Sequence, residues 1–138
     1  MKSVCLKSPG DILLIDIPSQ RRGQDEVLIK VRSAGICGSD IGAYKGVNPL
    51  VSYPRIIGHE IAGEVVEVDE NEKTFKVGDR VILEPYVYCG QCYPCSIGHT
   101  NCCENLTVRG VHIEGGMAEY VSHPRHLLHK VPDSIPWH

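Results

Sequence analysis

The sequence predicts a mainly β fold, a barrel or a sandwich, and three observations carry that reading. Apolar residues come in short runs, the runs are rich in β-branched residues, and turn formers interrupt them. Fourteen glycines and nine prolines break a chain of 138 residues at short intervals. Helical signal is scarce.

Taken in order, the expected elements are these. Glu26 to Arg32, EVLIKVR, alternates, so Val27, Ile29 and Val31 share one face of a strand. Ser39 caps a brief helical turn from Asp40 to Tyr44, which Gly46 stops. Ile61 to Val68, IAGEVVEV, and Arg80 to Leu83, RVIL, are β-branched strands bounded by Gly or Asp. Between them the charged run Glu67 to Lys73 reads as a solvated loop. Met117 to Val121 follows a Gly115-Gly116 turn as a further strand, and Leu127 to Val131 closes the series. No G-x-G-x-x-G follows a strand and no βαβ alternation is present, so a dinucleotide-binding domain is not readable here.

Composition narrows the function classes. At 42% hydrophobic residues the chain has enough apolar material for the core of one domain. The net charge is −3, with no basic cluster longer than Arg21-Arg22, which argues against nucleic acid as the main partner. The longest apolar run, Ile12 to Ile15, falls far short of the roughly 20 residues a membrane-spanning helix requires. Pro9, Gly10 and Asp11 interrupt the N-terminus, so it has no signal-peptide core. The expectation is a cytoplasmic protein, whose cysteines stay reduced and free for metal.

Five of the seven cysteines lie in EPYVYCGQCYPCSIGHTNCCEN, residues 84 to 105. Cys89, Cys92 and Cys95 form a C-x2-C-x2-C run, and Cys102 and Cys103 follow after a loop. Short loops of this kind fold back and bring thiolates around one ion. Four thiolates around a tetrahedral zinc leave no position for water or substrate, so this is a structural site. A disulfide cluster is the alternative reading. Adjacent side chains usually diverge, so Cys102 and Cys103 do not share an ion, and spacing does not choose between them.

A second constellation is less conspicuous. GICGSD carries Cys37, Ser39 and Asp40, and IIGHEIAGEV carries His59 and Glu60. Cysteine, histidine and carboxylate are ligands of catalytic zinc, which takes three from the protein and keeps one position open. Their separation suits distant elements converging on a pocket. Neighbours on a regular strand face opposite ways, so His59 and Glu60 reach one ion only where the backbone is irregular, which Gly58 permits. Otherwise Glu60 stands behind the ligands. Asp40 is a candidate to fix the His59 tautomer. The competing reading is a buried thiol and a hydrogen-bonded core histidine.

GICGSD, GHEIAGEVVEV, VGDRV, CGQCYPCSIG…NCCENL and GGMAEY, in that order, resemble the N-terminal domain of zinc-dependent medium-chain alcohol dehydrogenases. SYPRIIGHE and RGVHIEGGMAEY are similar to the branch containing sorbitol, threonine and galactonate dehydrogenases. The resemblance implies a GroES-like, partly open β-barrel over residues 1–138 with a small zinc-binding lobe at about 84–105. It implies Cys103 as the fourth structural ligand and Cys102 as the spare. It implies Cys37 and His59 as ligands of a catalytic zinc, Glu60 as a direct or indirect one, and Ser39 as the start of a proton relay. The implied reaction is hydride transfer from a zinc-polarised alcohol, polyol or sugar acid to NAD or NADP, with a homo-oligomer as the implied full-length state.

Two departures stand out. Gly42 occupies the position where many relatives end the relay with a histidine. The chain stops at VPDSIPWH, where the linker to a Rossmann domain is implied, so the cofactor site is expected outside these residues. Two rivals to the enzyme are a zinc-stabilised scaffold and a zinc-ribbon nucleic-acid binder, the latter disfavoured by the acidic balance. His99, His112, His123, His126 and His129 read as surface or loop residues, with His112 and Tyr44 as candidates to line a substrate pocket.

Overall fold

A computed structural model describes residues 1–137 and is mostly strand. The chain opens with β1 (Lys2–Ser8), β2 (Asp11–Asp16) and β3 (Glu26–Ala34), followed by the short helix α1 (Gly38–Tyr44). It continues through β4 (Arg55–Ile56), β5 (Ile61–Glu67), β6 (Arg80–Leu83) and β7 (Tyr86–Val87). A second short helix, α2 (Tyr93–Ser96), precedes β8 (Thr107–Val108), β9 (Tyr120–Pro124) and β10 (Leu128–Lys130).

The central sheet has the order β10-β6-β5-β3-β9, with every neighbour antiparallel. Alternation along its strands turns Val27 and Ile29 inward with Ile61, Val65, Val81 and Val121. Each fully buried side chain of this size contributes roughly 1.5–3 kcal/mol, and Val65 and Val121 are 0% exposed. A smaller sheet, β2-β1-β4, carries a second core of Leu6, Ala43, Val51, Ile57 and Val111. The cysteine lobe leaves the barrel through a third, two-stranded sheet, β7-β8. Among the described residues, no helix is long and apolar enough to cross a membrane.

Three sequence expectations need correction. The strand read at Met117 to Val121 lies at Tyr120–Pro124 instead, because residues 117–119 are taken up by the N-terminal strand. The Val4 N–H donates to Met117 O at 2.8 Å, and the Glu119 N–H to Lys2 O at 3.1 Å. The helix starts one residue before Ser39, with Cys37 as its cap. Asp40 Oδ2 accepts the Cys37 N–H at 2.9 Å, so the carboxylate three residues on holds the turn that the Ser39 hydroxyl was expected to hold. The acidic run is more than a solvated loop: Asp69 pairs with Arg22 at 2.7 Å, and Glu72 accepts the Phe75 N–H at 3.2 Å.

Candidate metal centres

The cysteine lobe brings four thiols together. The sulfurs of Cys89, Cys92, Cys95 and Cys103 all lie within 4.8 Å of one another. Cys92 caps α2, whose first turn carries Pro94, and Cys95 sits on that helix. A one-turn 3-10 helix, Thr100–Cys102, then delivers Cys103 inward and buried while Cys102 stays exposed. Cys103 Sγ lies 3.5 Å from Cys89 Sγ and 3.9 Å from Cys92 Sγ. A tetrahedron with metal–sulfur distances of about 2.3 Å has edges of about 3.8 Å, so the cluster fits zinc. None of the seven cysteines is disulfide-bonded.

Backbone groups prepare this cluster for thiolate. The N–H groups of Cys89 and Asn105 both reach Cys103 Sγ at 3.3 Å. The N–H groups of Gln91 and Cys92 pull the Cys89 thiol down to about 6. Desolvation, with Cys92 and Cys103 beside it, pushes Cys95 up to about 12. Four thiols so crowded do not all ionise unless a cation stands among them.

The second constellation also converges. Cys37, His59 and Glu60, from two parts of the chain, place their ligand atoms within 4.8 Å of one another. Cys37 caps α1 just after β3, and His59 and Glu60 lie in the irregular stretch between β4 and β5. Gly58 there has φ +95°, which removes the strand alternation that would part the two side chains. Glu60 lies over Gly35, where a Cβ would collide with its carboxylate. His59 Nδ1 faces Asp40 Oδ1 at 3.7 Å, and Ser39 Oγ lies 3.4 Å from Nε2. Asp40 is buried at 5% exposure and His59 Nδ1 has no closer partner, so this edge of the ring is turned toward the carboxylate.

The constellation opens on a cleft of about 520 Å³, lined among others by Ser33, Cys37, His59, Glu60, Ile82 and Tyr86. Tyr44 and His112, the sequence candidates for this wall, do not line it. The His112 ring instead accepts the Val108 N–H at 3.0 Å. Ile82 and Tyr86 were overlooked, although an apolar residue on the outward face of RVIL is a readable signal. Ile82 is 45% and Tyr86 51% exposed.

One histidine departs from the surface reading. His123 is 0% exposed, held by Arg109 and a backbone carbonyl. Desolvation, and then the Arg109 charge, lower its pKa to about 3, so it is neutral. No sequence pattern marks it beyond its place two residues after Val121 in YVSHP.

A GroES-like barrel with one closed thiol cluster and one open Cys-His-Glu cleft defines the class, a GroES-like domain of the zinc-type alcohol dehydrogenases. A profile of the alcohol dehydrogenase GroES-like domain matches residues 23–133, and the chain belongs to that family. It is 58% identical over 139 residues to a zinc-type alcohol dehydrogenase-like protein of Haemophilus influenzae, across 100% of this chain and 41% of that relative. It is 52% identical over 102 residues to L-galactonate-5-dehydrogenase of Escherichia coli, across 74% of this chain and 30% of that one. A solved short chain alcohol dehydrogenase from Escherichia coli, complexed with NADH, superposes with a TM-score of 0.89 at 43% identity. That match covers 99% of this chain and 40% of the solved one. Galactitol-1-phosphate dehydrogenase from Escherichia coli gives 0.89 at 31% identity, over 99% of this chain and 40% of that one. The chain thus spans about two fifths of the length of the H. influenzae relative and of both solved structures.

Proposed function

We propose that these 138 residues are the substrate- and zinc-binding part of an NAD(P)-dependent dehydrogenase that oxidises a secondary alcohol of a polyol or sugar acid. One observation carries the reading: Cys37, His59 and Glu60 converge at an open cleft, apart from the thiol cluster. Zinc bound there would supply a Lewis acid to an alcohol oxygen. Cys37 and His59 are the proposed ligands, and Glu60, exposed at the rim, the third. The four lobe cysteines are the proposed holders of a structural zinc.

The remaining steps belong to the chain's own side chains. Asp40 keeps the proton of His59 on Nδ1 and leaves Nε2 free to face the cleft. Ser39 Oγ, beside Nε2, takes the proton that leaves the substrate hydroxyl as it gives up its own. Gly42 offers no side chain to take it further, so it passes to water. Ile82 and Pro85 cover the apolar carbons of a substrate, while Ser33 and the Tyr86 hydroxyl meet its other hydroxyls. The polyol and sugar-acid class rests on this mixed lining and on the galactonate dehydrogenase relative. The nicotinamide cofactor is proposed to sit on a domain outside these residues.

The test uses the full-length enzyme with sorbitol, threonine and several sugar acids, each with NAD and NADP. Cys37→Ser is expected to fold and to abolish turnover. Full activity in that variant contradicts the assignment. The 138-residue chain alone is expected to give no steady turnover, because positioning of hydride donor and acceptor contributes roughly 7–11 kcal/mol. Turnover by the chain alone contradicts the placement of the cofactor, and zinc binding without turnover at full length supports the scaffold reading.

A further inference from the structure

Arg109 and His123 form a buried polar pair that the proposed chemistry does not use. Arg109 is 7% exposed and His123 0%. Arg109 Nε donates to His123 Nδ1 at 3.2 Å, Nη1 to Glu114 O at 3.0 Å and Nη2 to Ser122 O at 2.9 Å. None of the ion pairs among the described residues involves Arg109. A guanidinium buried on carbonyls and an imidazole is a poor device for stability alone, since apolar packing of similar volume serves at least as well. Its value lies in geometry.

Both walls of the metal cleft hang on this pair. On one side, His123 Nε2 donates to Glu84 O at 2.9 Å, and the Arg109 backbone N–H donates to Pro85 O at 3.0 Å. Two successive carbonyls of the segment that carries Pro85 and Tyr86 into the cleft are therefore fixed from one place. On the other side, the Glu114 carbonyl held by Arg109 begins a stretch that zips onto the chain leading to His59. Gly115 N–H donates to Ile56 O at 2.7 Å, Met117 N–H to Ile57 O at 3.0 Å and Gly116 N–H to Gly58 O at 2.8 Å. The Glu114 carboxylate accepts the Ile56 N–H at 2.7 Å. The chain leading to His59 is thus referred, through the four residues Glu114 to Met117, to the same guanidinium that anchors the opposite wall.

We propose that Arg109 and His123 are positioning residues that set the spacing between the His59 segment and the Glu84–Tyr86 wall. The inference rests on the reading of the cleft as the catalytic metal site. His123 acts as a neutral ring that takes a hydrogen bond on Nδ1 and gives one from Nε2, a pair of roles no aliphatic residue fills. The effect on metal is indirect, through where His59 is held.

The test is zinc affinity at each site, read by chelator competition on the purified chain, with thermal melting alongside. His123→Asn keeps an acceptor for Arg109 but is too short to reach Glu84 O. It is expected to weaken the cleft zinc about 10-fold, the lower end of what groups behind the ligands contribute, while the thiol-cluster zinc holds. His123→Gln returns a donor to Glu84 O and is expected to restore most of that loss. Arg109→Lys keeps the charge, loses the fork and is expected to resemble His123→Asn. Unchanged cleft affinity in a folded His123→Asn chain overturns the proposal. So does a parallel loss of both zincs with the fold, in either variant, which is the behaviour of a merely structural pair. If His59→Ala leaves the weaker zinc in place, the reading of the cleft has failed instead.

Discussion

The cysteine lobe and the Cys37–His59–Glu60 cleft use overlapping chemistry for opposite ends. In the lobe, four ligands fall within fifteen residues, all are cysteine, and short turns alone bring them together. In the cleft, ligands from β3–α1 and β4–β5 meet only because the barrel has formed. A metal held in the lobe would have its coordination shell closed by sulfur. The cleft offers three mixed ligands and leaves one direction open to about 520 Å³ of space. On the proposed assignment, the local, saturated cluster stabilises and the dispersed, unsaturated one binds a substrate. Under that assignment, the conspicuous motif is not where catalysis is to be sought.

The largest effect should come from breaking the saturated cluster. Cys92→Ser is expected to remove about one zinc equivalent and to disorder the lobe, because zinc binding at such sites carries folding free energy of roughly 10 kcal/mol or more. Metal analysis and near-ultraviolet circular dichroism read this out. Retention of two zincs would erase the distinction between the regions.

A pH effect sharpens the comparison from the barrel side. An unfolded chain protonates His123 near 6.5, whereas burial and Arg109 hold it to about 3 when folded. Between those values the unfolded state binds a proton that the folded state does not. Stability is therefore lost as pH falls below about 6.5, by up to about 1.4 kcal/mol per pH unit. Denaturant melts of the parent and His123→Gln, compared from pH 7 to 5, isolate this term from proton competition at the thiols, which both share. Equal slopes would contradict it.

A smaller change is expected at Gly110, which has φ +78° and packs against Gly58. A Cβ there lies 2.9 Å from Gly58 O and 3.0 Å from Gly58 N. Gly110→Ala is expected to cost about 1–3 kcal/mol from the strained backbone and the contact. Because the push falls on the residue before His59, it should weaken the cleft zinc and spare the lobe. An unaltered melting temperature would show that the two segments are not in close contact.

The smallest effect belongs to Cys102→Ser, which should keep both zincs and melt with the parent, since Cys102 is exposed and outside the cluster. Loss of metal in Cys102→Ser with retention in Cys103→Ser would reverse the ligand choice.

What the sequence disclosed follows the same division. Among the central strands, β3 was readable by its alternation, and β5 and β6 by β-branched runs bounded by Gly or Asp. β1 and β2 were not: β1 buries Ser3, Cys5 and Leu6, which are not a run of apolar residues two apart, and in β2 Ile12, Leu13 and Leu14 are 48%, 42% and 69% exposed, so that run faces solvent on both sides and has no two-residue period. The lobe cysteines were legible by spacing, but the choice of Cys103 over Cys102 came from family likeness and is matched by a 3-10 turn the sequence does not announce. The cleft residues were found as residue types, while their convergence depends on the irregular Gly58 backbone. Tyr86 and the Arg109–His123 pair escaped because tertiary contacts alone define them, whereas Ile82 carries a signal of its own as an apolar residue on the outward face of RVIL.

The central claim is that two zinc sites of different kind coexist, one closed and one open. A chelator competition titration of the purified chain tests it most directly. Two equivalents in two affinity classes are predicted: a tight one abolished by Cys103→Ser and a weaker one abolished by His59→Ala with the tight one intact. A single class of zinc, or a weaker class that survives His59→Ala, would contradict the account.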